Sequence, residues 1–157
     1  EQMLVGAGAS ISSMPSSEIY TGMQQNVLQG ANTSSGSLVS YRIYEVSTCL
    51  TAPGENALWF MYEPILMSKR SFEKLNKEQQ DALMAAGEKA EAYFAEEASK
   101  LDAELIEVYK KNGVEVTEMT KDNYDAWLAI AKETSYKEFA EKVPNGQALI
   151  DAALAVE

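Results

Sequence analysis

One long amphipathic helix, predicted for residues 77–112, constrains the fold more than any other segment of this chain. Asn76 and Gln79 have the spacing of a capping box at its start, and Asn112-Gly113 after two lysines is a helix stop. Apolar or small residues recur between these ends at steps of three or four: Leu83, Gly87, Ala90, Phe94, Ala98, Leu101, Leu105 and Val108. At 1.5 Å per residue this helix would be about 54 Å long. A helix of that length projects beyond one lobe or bridges two.

The alternative interpretation of this segment is a coiled coil. The predicted contact positions include Gly87, Ala90 and Ala98, which are too small for a regular seam of knobs in holes. The pattern therefore favours a single helix that packs within a larger fold.

The remaining elements predict the α/β class. Residues 57–67 form a nearly continuous apolar and aromatic run, typical of a strand covered on both faces, with a break at Pro64. Residues 113–117 alternate as a short strand does. Helices are predicted around them, with Ser16, Ser68 and Thr120 as N-cap residues.

Composition limits the possible partners. The chain has 157 residues, 46% of them hydrophobic, so it can form a domain with a core. Its formal charge of -11 predicts a surface that repels nucleic acid and anionic lipid headgroups. It contains no run of roughly 20 apolar residues that could span a bilayer. It begins at Glu1 as if within an element, and it lacks the pattern of a signal peptide. We expect it to be a piece of a longer protein.

Nothing in the sequence indicates catalysis. The absence of histidine removes the commonest general base and transition-metal ligand, although a serine–lysine pair stays open. No phosphate-binding glycine loop is present. Cys49 is expected to be a small buried residue. Carboxylates on the long helix are expected on its solvated face: Glu88, Glu91, Glu96, Glu97, Asp102 and Glu104. We predict no catalytic residue, no metal site and no cofactor.

Two segments mix polar and apolar groups as small-molecule pockets do. The first contains Asn32, Thr33, Ser34 and Ser37, before a helix predicted from about Gly36, whose free N–H groups favour an anionic group. The alternative is that these side chains only cap and turn the backbone.

The second segment contains Trp59, Met61, Tyr62 and Glu63, on the strand predicted for residues 57–67. Its alternative is ordinary core packing. Glu63 is the least ordinary member, because a buried carboxylate needs a partner or a shifted pKa.

A longer motif carries a family resemblance. Residues 14–35 read MPSSEIYTGMQQNVLQGANTSS, residues 41–46 read YRIYEV, and residues 67–75 read MSKRSFEKL. Their order resembles the second half of the solute-binding proteins of TRAP (tripartite ATP-independent periplasmic) transporters, whose usual pattern is approximately M-P-x-S-E-x-Y-x-A-L-Q-x-G-x-V-D-G-x-E-N-P. The likeness covers essentially the whole chain.

The resemblance implies part of a two-lobe periplasmic-binding-protein-like fold with a long helix spanning both lobes. It would place residues 1–58 in the second lobe with a ligand loop, and residues 59–98 in the first lobe with a hinge strand and the start of the long helix. Residues 99–157 would return to the second lobe as C-terminal helices. Family members are periplasmic, are not enzymes, close around a small organic acid or a solute such as ectoine, and deliver it to a membrane permease.

The resemblance also suggests ligand-binding residues, which are Asn32, Thr33 and Ser37 for hydrogen bonds, Trp59 and Tyr62 for packing, Glu63 for a polar contact, and Ser16. The family's principal carboxylate-binding arginine lies upstream of this chain.

Three positions depart from the family pattern. Gln29 replaces an aspartate, Thr33 replaces an asparagine that often contacts ligand, and Ser16 replaces an aromatic residue. A wider, serine-lined pocket would suit a different monocarboxylate or an aromatic acid.

Two other functions stay open, namely an enzyme domain on a similar α/β scaffold and the ligand-binding ectodomain of a sensory receptor. As the isolated half of a two-lobe binding protein, the chain would expose a cleft face and part of the long helix. We therefore expect it to self-associate.

Overall fold

The computed structural model describes residues 1–60 and 63–156, which are mostly helical. The helices are α1 (Gln2–Gly6), α2 (Ser16–Gln24), α3 (Ser35–Ser40), α4 (Lys69–Phe72), α5 (Lys77–Lys111), α6 (Lys121–Ala131), α7 (Lys137–Lys142) and α8 (Gly146–Leu154). A 3-10 turn spans Ile43–Glu45 and a π-helical turn spans Lys132–Tyr136. Strands β1 (Cys49–Ala52) and β2 (Glu115–Glu118) pair in parallel. Helices and parallel strands are both present, as the α/β prediction requires.

Helix α5 confirms the predicted long helix. It has 35 residues, and both bonds of the capping box are present. The Gln79 N–H donates to Asn76 Oδ1 at 2.9 Å, and the Asn76 N–H donates to Gln79 Oε1 at 3.1 Å. The helix ends at Asn112, where Gly113 adopts a φ of 78°, a left-handed conformation that glycine adopts without strain.

The C-terminal part of α5 is embedded in the core. Leu105 and Tyr109 are each 1% exposed, and they form a buried cluster with Val114. Tyr44 meets the Tyr109 ring edge-on, with centroids 5.9 Å apart. The partly buried side chains around this cluster come from α3, the 3-10 turn and both strands: Leu38, Val39, Tyr44, Leu50 and Val116. Each large apolar side chain buried here stabilises the fold by roughly 1.5–3 kcal/mol.

The N-terminal part of α5 lies largely in solvent. Leu83, Met84 and Tyr93 are 46%, 61% and 67% exposed. Near its start, the Gln80 side-chain amide donates to the carbonyls of Phe72 and Leu75, which holds α4 against the helix. Helix α5 is therefore packed at one end and presents apolar side chains to solvent at the other.

The prediction of a strand over residues 57–67 is wrong for the residues of that range that the structure describes. Residues 57–60 and 63–67 form neither helix nor strand. Phe60, Ile65 and Leu66 are 88%, 85% and 83% exposed. An apolar strand of this kind needs neighbours in the hydrogen-bonding direction and cover on both faces. The sheet in the described part of the chain holds β1 and β2 alone, so this segment has no ladder to join.

Helix caps were predicted with mixed success. Thr120 and Ser68 accept backbone N–H groups from Asn123 and Ser71, as expected. Ser16 is not an N-cap, because α2 begins at Ser16 itself and Pro15 occupies the cap position. Proline suits a helix start because its φ is already fixed near the helical value.

The remaining helices pack through close backbone approaches. A Cβ added at Gly6 of α1 would lie 2.7 Å from Thr134 Cγ2, and one added at Gly146 of α8 would lie 2.6 Å from the Phe139 carbonyl oxygen. Both positions therefore need glycine for packing. Within residues 1–60 and 63–156, no helix is both long and apolar enough to cross a membrane.

Replacement of Asn76 with alanine should fray the start of α5. The substitution removes the acceptor for the Gln79 N–H, at a cost of about 1 kcal/mol. Because this end of the helix is exposed, the loss should appear as faster amide hydrogen exchange in the first two turns. Asn112→Ala, at the opposite end, should leave those amides unchanged. Equal exchange in N76A and the parent would contradict the role of the capping box.

The isolated 157-residue chain should self-associate through the exposed apolar side of α5. Light scattering coupled to size exclusion should give a mass above that of one chain, and Leu83→Ser combined with Met84→Ser should reduce it. Leu154→Ser, at an exposed apolar position on α8, is the matched control and should not change the mass. A monodisperse single chain at high concentration would refute the prediction.

Candidate ligand-binding cleft

A cleft of about 990 Å³ opens between three segments of the chain. Most of its lining comes from residues within 23–43, from residues within 46–60 together with Glu63, and from one face of α5, and Met119 also contributes. This volume lies at the upper end of the range for small-molecule sites. A ligand could therefore contact the loop, the segment after β1 and the long helix together.

Hydroxyl groups on the loop are held by one another. Ser34 caps α3 by accepting the Ser37 N–H at 3.2 Å, and its hydroxyl donates to Ser37 Oγ at 2.9 Å. Ser16 and Thr33 share a hydrogen bond of 3.0 Å, which ties the first turn of α2 to the loop. The polar edge of the cleft is thereby positioned before any ligand arrives.

Helix α5 forms the second wall. Phe94, Ala98, Leu101 and Asp102 all line the cleft, since residues at three- and four-residue spacing share a helix face. Ser35 donates a hydrogen bond to Asp102 Oδ1. This contact fastens the first turn of α3 to the long helix.

The structure brings most predicted site residues together. The cleft lining includes Asn32, Thr33, Ser37, Trp59 and Glu63. Their role in binding stays a prediction.

The other two predicted site residues are Ser16 and Tyr62. Ser16 reaches the cleft only through its bond to Thr33, and Tyr62 lies outside the described residues. Glu63 is exposed, which corrects the idea of a buried carboxylate, because the strand that would have buried it is not formed.

Two residues of the cleft lining differ in how well the sequence placed them. Asp102 is exposed, as expected, and because it lies four residues after Ala98 it also lines the cleft. Cys49 was expected to be buried and is exposed. Along β1, Leu50 and Ala52 are the more buried positions, and the alternation of a strand turns Cys49 the other way.

The floor of the cleft contains a buried phenol. Tyr109 lines the cleft, and its hydroxyl donates to the Leu38 carbonyl oxygen at 3.4 Å. Burial raises the pKa of Tyr109 to about 12, against a smaller opposing contribution from Ser47. The neutral phenol is therefore the form that the fold stabilises.

Comparisons with known proteins define the family. The model of a family described as bacterial extracellular solute-binding protein, family 7, matches residues 1–142. A solute-binding protein from Albidiferax ferrireducens is 40% identical over 142 residues, which are 90% of this chain and 42% of that relative. The chain therefore belongs to the family 7 extracellular solute-binding proteins.

Solved structures give the same result. The crystal structure of a TRAP periplasmic solute-binding protein from Rhodoferax ferrireducens with bound malonate matches 99% of this chain and 52% of its own, at a TM-score of 0.89 and 36% identity. This match confirms the expected fold as part of a TRAP-type binding protein.

A more distant relative is the ectoine/5-hydroxyectoine-binding periplasmic protein of Ruegeria pomeroyi. It is 27% identical over 147 residues, which are 91% of this chain and 42% of that relative. The chain thus spans about half the length of the proteins it matches, or somewhat less.

The raised pKa of Tyr109 predicts a loss of stability at alkaline pH. The folded chain keeps a proton that the unfolded chain releases near pH 10, so this stabilisation is complete below pH 10 and disappears as pH rises towards 12. Two pKa units correspond to about 2–3 kcal/mol. Circular dichroism should show unfolding in this window.

Tyr109→Phe tests the assignment. It keeps the ring but has no ionisable hydroxyl, so its unfolding midpoint should move to higher pH. At pH 7 the loss of the long hydrogen bond should change stability by less than about 1 kcal/mol. Tyr93→Phe, at an exposed position, should behave as the parent does. Identical midpoints for all three proteins would show that Tyr109 does not control alkaline unfolding.

Proposed function

We propose that this chain is the C-terminal half of the extracytoplasmic solute-binding subunit of a TRAP transporter. The complete subunit captures a small organic acid in the periplasm by closing two lobes, and it delivers the acid to the membrane permease. It makes and breaks no covalent bond. Membership in family 7 and the similarity to a malonate-bound TRAP protein support this function.

The cleft is the observation that carries the proposal. It combines hydroxyl groups on the loop, aromatic surface at Trp59 and Phe94, and the rigid wall of α5. Apolar walls with a few fixed polar groups are what a small-molecule site requires. In the bound state, Asn32, Thr33 and Ser37 supply hydrogen bonds.

The segment after β1 completes the ligand contacts. Trp59 and Tyr62 pack against the ligand, and Glu63 offers a polar contact. Ser16 acts through Thr33, whose hydroxyl it holds at 3.0 Å. All these contacts are non-covalent, which fits capture and release.

The packing of α5 supports a division into lobes. Residues 1–58 and 99–157 form one lobe, and the helix joins their core through Leu105 and Tyr109. Residues 59–98 belong to the other lobe, and they expose apolar side chains such as Phe60 and Met84. In the complete subunit, the rest of the fold covers these side chains, so that α5 links the lobes on either side of the ligand.

A thermal-shift screen of organic acids against the full-length protein tests this function. A ligand at about 100 times its Kd stabilises the folded state by about 2.7 kcal/mol, which should raise Tm by several degrees. Thr33→Ala and Trp59→Ala should weaken binding by about two- to tenfold through a lost hydrogen bond or lost packing.

Lys121→Ala, on the outer surface of α6, serves as the matched control and should bind as the parent does. NMR of the incubated ligand should show it unchanged. If no acid raised Tm, capture of an organic acid would be refuted, and conversion of the ligand would favour an enzyme.

A further inference from the structure

The charge of the cleft indicates which acids the protein accepts, an inference that rests on the proposed function. Among the described residues that line it, the charged ones are Glu63 and Asp102, and neither Lys nor Arg belongs to this lining. This side of the cleft therefore presents negative charge without a compensating positive charge. A carboxylate placed against it would be repelled.

The loop hydroxyls offset this repulsion only in part, because several of their protons are already bonded. Ser35 donates to Asp102, and Ser34 donates to Ser37. One of the Ser16 and Thr33 hydroxyls donates to the other, which leaves one proton of that pair free. A carboxylate accepts hydrogen bonds at both oxygens and loses stability when it leaves water without new donors.

The remaining wall suits a neutral group. Tyr41, Trp59 and Phe94 line the cleft and are exposed, so a hydrocarbon chain or ring that covers them removes apolar surface from water. Asn32 and Ser37 are placed to bond a hydroxyl or ether oxygen on the same ligand.

We propose that the cleft selects acids with a single carboxylate and a neutral remainder over dicarboxylates. The single carboxylate lies away from Glu63 and Asp102, and the neutral remainder contacts Trp59, Phe94 and the loop donors. The selection would separate this protein from the 36%-identical relative, whose structure contains malonate, a dicarboxylate.

Calorimetric titration of the full-length protein with matched ligand pairs tests the selection. Malonate is compared with 3-hydroxypropionate, and phthalate with benzoate, so that each pair differs in one carboxylate. We expect the monocarboxylate of at least one pair to bind about tenfold tighter. Tighter binding of 3-hydroxypropionate than of malonate would indicate an aliphatic remainder. Tighter binding of benzoate than of phthalate would indicate an aromatic one.

The outcomes separate the two proposals. Equal or tighter binding of the dicarboxylates overturns the single-carboxylate selection and leaves organic-acid capture standing. Binding of none of the four acids, together with a negative thermal-shift screen, overturns both.

Asp102→Asn tests the electrostatic cause. The amide oxygen can still accept the Ser35 hydrogen bond, whereas the charge is lost. Dicarboxylate affinity should rise by about two- to fivefold, and by more than monocarboxylate affinity, because the second carboxylate lies nearer to the removed charge in a partly hydrated cleft. Glu104→Gln, on the same helix but outside the lining, should change neither. A ratio of affinities unaffected by D102N overturns the role of cleft charge.

Discussion

The burial of Leu105 and Tyr109 against α3 and the two strands is the interaction on which the rest of the structure depends. A two-stranded sheet four residues long has little stability of its own. Helix α5 supplies the apolar surface that holds it, and the edge-on contact of Tyr44 fixes the orientation of Tyr109. Because the same two residues form the floor of the cleft, the shape of the candidate site follows directly from core packing.

The unequal packing of α5 connects the fold to the proposed function. One end of the helix belongs to the described core, and the other presents apolar side chains for which the described residues offer no cover. The chain spans about half of its structural relative, and the proposed function assigns the cover of these side chains to a second body of comparable size. In that proposal, α5 is shared between the two bodies and keeps the geometry of one wall of the cleft as they close on a ligand.

The cleft itself is positioned by short polar contacts. The bonds from Ser16 to Thr33 and from Ser35 to Asp102 join α2, the loop and α5. They reduce the motion that a ligand would otherwise have to freeze, which lowers the entropic cost of binding. They also occupy donors, so the same contacts that order the loop lessen its attraction for a second carboxylate.

The sequence by itself determined the features that depend on neighbours three or four positions away. These are the length of α5, its capping box at Asn76, the caps at Ser68 and Thr120, and the stop at Gly113. The tertiary structure decided features that need a distant partner. Residues 57–67 have the composition of a buried strand, yet a strand forms only beside another one. Cys49 could not be placed from the sequence because its exposure depends on which face of β1 meets α5 and β2, and those contacts join segments about 50 or more residues apart in the chain. For the same reason the sequence did not show that Asp102 would meet Ser35 of α3.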